Sequence, residues 1–180
     1  MATKIACFGE VLFDVFPTHR KIGGAPLNVG LRMASLGIDT QIISRIGQDE
    51  IGNELLDFVS QNGVSTDSIQ IDPNFATGEV LVQLDDKGSA SYTINYPVAW
   101  DKIEATPEAQ SVVANSDAFV FGSLVCRDNT SYQSLLTLLN SAKYKIFDVN
   151  LRAPFYTKEL LSDLMNKADF IKFNDDELYE

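Results

Sequence analysis

The sequence predicts a doubly wound α/β fold, in which helices cover both faces of a mainly parallel sheet. Two observations predict it. First, short apolar runs that end at a glycine or a polar residue recur along the chain, as is typical of parallel strands buried on both faces. Second, segments with helical spacing of apolar residues separate these runs. The predicted strands cover residues 5–8, 41–46, 118–121, 145–149 and 169–173.

Apolar residues three and four positions apart predict the helices between these strands. Gly63 can supply the left-handed cap of one helix, and Thr106-Pro107 is typical of an N-cap followed by proline. A further helix begins within residues 23–28 and ends near Gly37. The apolar stripes consist of Ile51, Leu55, Phe58 and Val59, of Tyr132, Leu135, Leu136 and Leu139, and of Leu160, Leu161, Leu164, Met165 and Ala168.

Residues 78–96 follow a period of two instead, which predicts an antiparallel hairpin with one polar face and a turn at residues 85–88. Such a hairpin does not belong in a parallel sheet. We therefore place it beside the sheet, with residues 12–22 as a candidate second part. Two interpretations stay open: a surface hairpin, or a lid over the carboxyl ends of the strands, where ligands bind in open α/β sheets.

Composition disfavours several classes of protein. The chain has 180 residues, of which 45% are hydrophobic and 22% charged, and this predicts one globular domain. Its net charge of −11 disfavours nucleic acid and anionic membranes as partners. The two cysteines, Cys7 and Cys126, provide neither a disulfide framework nor a metal-ligand spacing. Since no signal peptide or long apolar run is visible, we expect a soluble cytoplasmic protein.

Residues 47–52 have the glycine spacing of a P-loop opening, but Asn53 and Glu54 stand where Lys and Ser or Thr are needed. No Gly-x-Gly-x-x-Gly follows the first strand, which disfavours a nucleotide-binding oxidoreductase. We therefore interpret Gly47 and Gly52 as turn and packing residues.

A second glycine segment is the stronger candidate for a binding site. Gly23 and Gly24 allow a ligand to approach the backbone closely, and the helix that follows offers free N–H groups. Asn28 lies in its first turn and can both donate and accept hydrogen bonds. Asp14 stands among apolar residues, which is costly for a carboxylate unless it is bonded, and sugar hydroxyls are a natural partner. A tight turn and a turn-capping carboxylate are the structural alternatives.

The N-terminal signature of the ribokinase-like (PfkB) carbohydrate kinases resembles the run from Phe8-Gly9-Glu10 through Asp14, followed by residues 23–26 and Asn28. The resemblance also includes residues 47–52, residues 147–152 and Asn174-x-x-Glu177, in the family's order over the whole chain. Gly-Gly-Ala-Pro (residues 23–26) and Asp-Val-Asn-Leu-Arg (residues 148–152) are similar to fructokinases in particular. The resemblance implies a ribokinase-like fold and an ATP- and Mg²⁺-dependent phosphorylation of a sugar.

The resemblance also implies a role for each matched residue. The hairpin would be a lid that closes on the sugar and pairs two subunits in a homodimer. Asn174-x-x-Glu177 is equally a capping box, and Arg152 could instead pair with surface carboxylates, for at most about 1 kcal/mol. The implied sugar-binding residues are Asp14, Gly23, Gly24, Asn28 and Tyr96; Asn150 and Arg152 would lie near the transferred phosphate; and Asn174 and Glu177 would organise magnesium and phosphate through water, with no direct metal ligand.

In such kinases the catalytic aspartate lies in a Gly-Ala-Gly-Asp segment, and the 180 residues contain none. Phosphoryl transfer needs a residue that orients the acceptor hydroxyl. We therefore expect the N-terminal, sugar-binding part of a sugar kinase, without a catalytic residue and inactive alone. The alternative is a non-catalytic sugar-binding or dimerising module. Fructose is favoured by resemblance, although ribose, a ketodeoxy sugar acid or a nucleoside would suit the same scaffold.

Overall fold

The computed structural model describes residues 2–84 and 90–179. The strands are β1 (Lys4–Phe8), β2 (Leu12–Val15), β3 (Arg20–Gly23), β4 (Asp39–Gly47), β5 (Ile69–Asp72), β6 (Gly78–Leu84), β7 (Ala90–Ile94), β8 (Ala118–Gly122), β9 (Lys145–Asp148) and β10 (Phe170–Lys172). The α-helices are α1 (Ala25–Ser35), α2 (Glu50–Gln61), α3 (Pro107–Asn115), α4 (Asn129–Leu139) and α5 (Lys158–Lys167). Short 3₁₀ turns cover Ala99–Lys102, Leu124–Arg127 and Glu177–Tyr179.

Six strands form the main sheet in the order β10-β9-β8-β1-β4-β5, and all neighbouring pairs are parallel. The five predicted strands all lie in it, so the predicted doubly wound fold is confirmed. The chain adds β4 and β5 on one side of β1 and the later strands on the other side, so the strand order reverses between β1 and β8. The sequence did not predict β5, because Gln70 and Asp72 alternate with its two isoleucines and leave no continuous apolar run.

Helices cover both faces of the main sheet, as the apolar stripes predict. α1 and α2 pack on one face, around Leu27 and Leu55, whereas α3, α4 and α5 pack on the other, around Phe119 and Leu135. The predicted cap of α3 is present, because the Thr106 hydroxyl accepts a hydrogen bond from the Ala109 N–H at 3.2 Å. Among the helices in the described part of the chain, none is both long enough and apolar enough to cross a membrane.

The other four strands form a second sheet in the order β3-β2-β6-β7. β6 and β7 are the predicted antiparallel hairpin, whose predicted turn at residues 85–88 lies outside the described residues. β2 and β3 form another antiparallel hairpin. The two hairpins join through β2 and β6, which are parallel. The second sheet is therefore mixed rather than wholly antiparallel, because the chain crosses the main sheet before it returns as β6.

Asp49 attaches the main sheet to the start of β6. Its carboxylate accepts hydrogen bonds from Gly52 N at 2.8 Å, from Thr77 Oγ1 at 2.7 Å and from Thr77 N at 2.8 Å. A Cβ atom on Gly47 would lie 2.6 Å from Thr77 N, and one on Gly52 would lie 2.6 Å from Gly47 O. These two glycines are therefore turn and packing residues, as the sequence predicts.

Arg127 holds the other end of the second sheet, where the chain leaves β7. Its side chain is 1% exposed and pairs with the fully buried Asp101 at 2.7 and 2.8 Å. Nη2 also donates to the carbonyl oxygen of Asn95 at 2.6 Å. The guanidinium lies over the ring of Trp100, 3.8 Å from its centroid, and 5.0 Å from that of Phe155. One cation therefore joins β7, the 3₁₀ turn after it and the loop after β9.

Replacing Arg127 with Met should destabilise the fold by about 3–5 kcal/mol, because the buried carboxylate of Asp101 loses its charged partner and keeps only the hydrogen bond from the Val98 N–H at 2.9 Å. Urea denaturation followed by circular dichroism measures this loss. Lys167→Ala is the matched control, since it breaks a half-exposed ion pair to Asp163 at 2.8 Å. That change should cost less than about 0.5 kcal/mol. Equal losses in the two variants would contradict the role given to Arg127.

Candidate functional site

A cavity of about 510 Å³ opens at the carboxyl edge of the main sheet. The loops after β1, β8 and β9 meet there, beside the point where the strand order reverses, which is where open α/β sheets bind ligands. The second sheet forms the remaining wall. The lining residues are Glu10, Leu12, Asp14, Gly24, Ala25, Asn28, Val80, Tyr92, Ile94, Leu124, Asn150 and Arg152.

The turn Gly23-Gly24 brings the start of α1 against the end of β1. Gly24 has a φ of 113°, and a Cβ atom there would collide with the carbonyl oxygen of Glu10. A Cβ atom on Gly23 would lie 2.6 Å from Oδ2 of Asp14. Glycine is therefore required at position 24, whereas a side chain at position 23 would displace the carboxylate of Asp14. The backbone at this wall of the cavity stays uncovered by side chains.

Asp14 lies on β2, opposite Lys21 on β3. Burial raises the pKa of this half-buried carboxyl, and the charges of Lys21 and Arg152 oppose the increase. Because two cations support the ionised form, the carboxylate is placed to accept hydrogen bonds from hydroxyl groups of a ligand.

Glu10 is a second carboxyl of the cavity, and its side chain is buried at 2% exposure. Oε1 accepts a hydrogen bond from Ala25 N, the first amide of α1, at 3.3 Å. Burial raises the pKa of Glu10 to about 7; hydrogen bonds to backbone amides and the charge of Arg152 lower it, and Asp148 adds to the increase. Sequence reasoning gave Glu10 no role, although an acidic residue between a buried strand and three apolar residues was a visible signal.

The loop after β9 carries Asn150 and Arg152 to the cavity. The Ser123 hydroxyl donates to the carbonyl oxygen of Val149 at 2.7 Å, and the Leu151 N–H donates to Glu177 Oε1 at 2.9 Å. Between these two bonds Asn150 adopts a φ of 40°, which non-glycine residues rarely adopt. Such a conformation persists only where neighbouring contacts fix it, and it is common at ligand sites.

Asn174 and Glu177 form a reciprocal capping box. Glu177 N donates to Asn174 Oδ1, and Asn174 N donates to Glu177 Oε2, both at 2.9 Å. Both carboxylate oxygens of Glu177 therefore accept backbone hydrogen bonds, one of them from the loop that carries Asn150. Neither residue lines the cavity. Glu177 instead holds the loop that carries Asn150 through its hydrogen bond from Leu151 N.

Comparison with known proteins identifies the fold and the family. Residues 2–180 match the model of the pfkB family carbohydrate kinases. The chain belongs to this family. A probable fructokinase of Arabidopsis thaliana is 28% identical over 98% of the chain and 58% of its own length.

Two solved pfkB relatives have the same fold. An uncharacterized sugar kinase from Pyrococcus horikoshii in complex with ATP has a TM-score of 0.87 and 28% identity, over 97% of the chain and 65% of its own. A fructokinase from Xylella fastidiosa with bound ATP has a TM-score of 0.86 and 26% identity, over 99% and 60%. The chain thus spans about three fifths of the length of these relatives.

The structure brings most of the implied pfkB site residues to one cavity: Asp14, Gly24, Asn28, Asn150 and Arg152 line it. Gly23 lies directly behind Asp14. Tyr96 does not line the cavity, because its hydroxyl donates to Asp128 at 3.1 Å beside the Arg127 cluster. The sequence analysis gave no individual role to the other lining residues, although it placed residues 78–96 as a candidate lid. These residues are Glu10, Leu12, Ala25, Val80, Tyr92, Ile94 and Leu124.

Within residues 2–84 and 90–179, no three His, Cys, Asp or Glu side chains lie together as a metal site would require. Both oxygens of Glu177 are already bonded to backbone amides. Glu177 therefore holds the backbone of the two loops around it, and we assign no step of a reaction to magnesium.

Glu10→Gln should stabilise the fold, and more so at pH 8 than at pH 5. The pKa of Glu10 in the folded state lies near 7, above its ordinary value of 4.5, so the folded state binds the proton more tightly. Wild-type stability is therefore lost as the pH rises through 7, by an amount on the order of 3 kcal/mol. The variant has no carboxyl group to ionise at this position, so it does not lose stability in this way as the pH rises.

Urea denaturation of both proteins at the two pH values measures the difference. The control is Glu50→Gln, which removes an exposed carboxylate from the first turn of α2. If the stability of Glu10→Gln relative to wild type were the same at pH 5 and pH 8, burial would not have raised this pKa.

Proposed function

We propose that this chain supplies the sugar-binding part of a kinase that transfers the γ-phosphate of ATP to a hydroxyl group of a sugar, with fructose as the first candidate. The cavity carries the proposal, because the Asp14 carboxylate, the Gly23-Gly24 turn and the Asn150–Arg152 loop meet there. The fructokinases among the relatives favour fructose, as do residues 23–26 and 148–152.

In the proposed complex Asp14 accepts hydrogen bonds from neighbouring sugar hydroxyls. Lys21 and Arg152 support its charge, and a charged acceptor forms stronger hydrogen bonds than a neutral one. The Gly23-Gly24 turn allows the sugar to contact the backbone, and Asn28 in the first turn of α1 can donate and accept further bonds.

The second sheet acts as a lid in this proposal. Val80, Tyr92 and Ile94 on β6 and β7 form its side of the cavity, and closure over a sugar would exclude water from the reacting groups. Leu81 alternates with Val80, so it lies on the opposite face, where it is 40% exposed. Pairing of two such faces is the proposed homodimer contact.

The phosphate side of the proposed site is the loop after β9. The guanidinium of Arg152 is exposed, and its planar set of N–H donors suits a phosphate group. The capping box of Asn174 and Glu177 positions this loop through the Leu151 amide. The residue that accepts the proton of the sugar hydroxyl is assigned to a Gly-Ala-Gly-Asp segment outside these 180 residues.

Asp14→Asn should weaken the binding of D-fructose at least about tenfold, because charge-assisted hydrogen bonds become neutral ones. Isothermal titration calorimetry measures the affinity. The matched control is Asp57→Asn, which makes the same change at an exposed position of α2. Equal affinities of wild type and Asp14→Asn would remove Asp14 from the site.

The 180-residue chain should release no ADP from ATP in the presence of Mg²⁺ and D-fructose, since no residue of the cavity is assigned as the base for the acceptor hydroxyl. A coupled assay for ADP, on protein of verified mass, measures this. Turnover that depends on fructose would place the transferring residue within the chain and refute the assignment of the base to another segment.

A further inference from the structure

The carboxyl group of Glu10 has one bonded oxygen and one that is not. Oε1 accepts the N–H of Ala25, whereas Oε2 is buried and has no hydrogen-bond partner among the described residues. A buried polar atom without a partner costs roughly 1–3 kcal/mol, so such atoms are rare in folded proteins and call for an explanation. Here the residue lines the cavity.

Capping of α1 explains the position of Oε1, but it explains neither the second oxygen nor the charge of this carboxyl group. The N-cap of α1, Gly24, has no side chain to satisfy the first amides of the helix, and Oε1 of Glu10 does so instead. A neutral amide acceptor would serve equally well there. The second oxygen and the negative charge have no function in capping, although both are costly to bury.

The charged and titratable groups that act on Glu10 or share its cavity do not bond to this oxygen either. Arg152 and Asp148 act on it from the far end of β9 and its loop, the thiol of Cys126 lies on the turn after β8, and Asp14 lies on β2. Arg152 bonds to the carbonyl oxygen of Leu151 and forms no ion pair with Glu10. Because Glu10 lines the cavity, a group that enters the cavity is the candidate donor for Oε2.

We propose that Glu10 is a second sugar-binding carboxyl, whose Oε2 forms a hydrogen bond with one hydroxyl of the bound sugar while Oε1 holds the first amide of α1. This inference rests on the proposed function, since it assigns a further residue to the same cavity. The ligand it requires is a polyhydroxylated sugar with a hydroxyl directed toward the end of β1, in addition to the hydroxyls bound by Asp14.

The test combines Glu10→Gln with D-fructose and its monodeoxy analogues in isothermal titration calorimetry. The glutamine retains an acceptor for Ala25 N and replaces the free oxygen and the charge. The variant should bind fructose about tenfold more weakly, the value of one charge-assisted hydrogen bond. At one position of the sugar, removing the hydroxyl should cost wild type clearly more than it costs the variant.

A thermal melt of each protein shows that the variant is folded, and Glu50→Gln is the matched control, with unchanged affinity. Unchanged fructose affinity in Glu10→Gln would overturn the inference. So would a loss that is the same for fructose and for every deoxy analogue, because a displaced helix α1 weakens all of them alike.

In both cases a loss of binding in Asp14→Asn would leave the proposed function intact. Failure of wild type to bind fructose or any other sugar would overturn the proposed function, and this inference with it.

Discussion

The backbone of Gly24 lies against the carbonyl group of Glu10, and the arrangement of the site depends on this contact. It joins the end of β1, the centre of the main sheet, to the start of α1. The same turn places Gly23 directly behind the carboxylate of Asp14 on β2. A side chain at Gly24 would separate α1 from the end of β1, and one at Gly23 would displace the carboxylate of Asp14, so this turn fixes the helix N-terminus relative to the sheet and leaves room for that carboxylate.

The second sheet is held at two places on its border with the main sheet. At the start of β6 the carboxylate of Asp49 binds both the backbone and the hydroxyl of Thr77. At the end of β7 the guanidinium of Arg127 binds Asp101 and the carbonyl oxygen of Asn95. The Arg127–Asp101 pair is buried, the bonds of Asp49 are partly buried, and all of them involve a charged group, so both attachments resist displacement more than exposed ion pairs do. Motion of a lid would therefore occur in the strands beyond them.

The fold could be predicted from the sequence because its signals are local and repeated. Each strand of the main sheet except β5 is a run of apolar residues, and each α-helix begins at a recognisable cap or glycine. The parallel pairing of β2 with β6 could not be predicted in the same way. It joins residues 12–15 to residues 78–81, and no local pattern encodes a contact over that distance.

The site was predictable only where residues match a motif. Asp14, Asn28, Asn150 and Arg152 stand in such motifs, and the structure brings them to one cavity. Tyr96 was assigned by the resemblance alone, but the direction of its side chain depends on Asp128, a partner 32 residues away. The burial of Glu10 depends on how α1, β2 and the loops after β8 and β9 close around it, and a sequence does not show this packing.

Glu10 shows why a binding site and a stable core make opposite demands on the same residue. For stability alone, an uncharged acceptor at this position would satisfy the first amide of α1 without burying a charge. The retained carboxyl therefore lowers the stability of the empty protein above neutral pH. A bound hydroxyl would give Oε2 the partner it lacks and so remove part of the free-energy cost of burying this carboxyl. That part would add to the binding free energy of the ligand. On this argument a buried carboxyl that is unfavourable in the empty fold is suited to bind a ligand that enters the cavity.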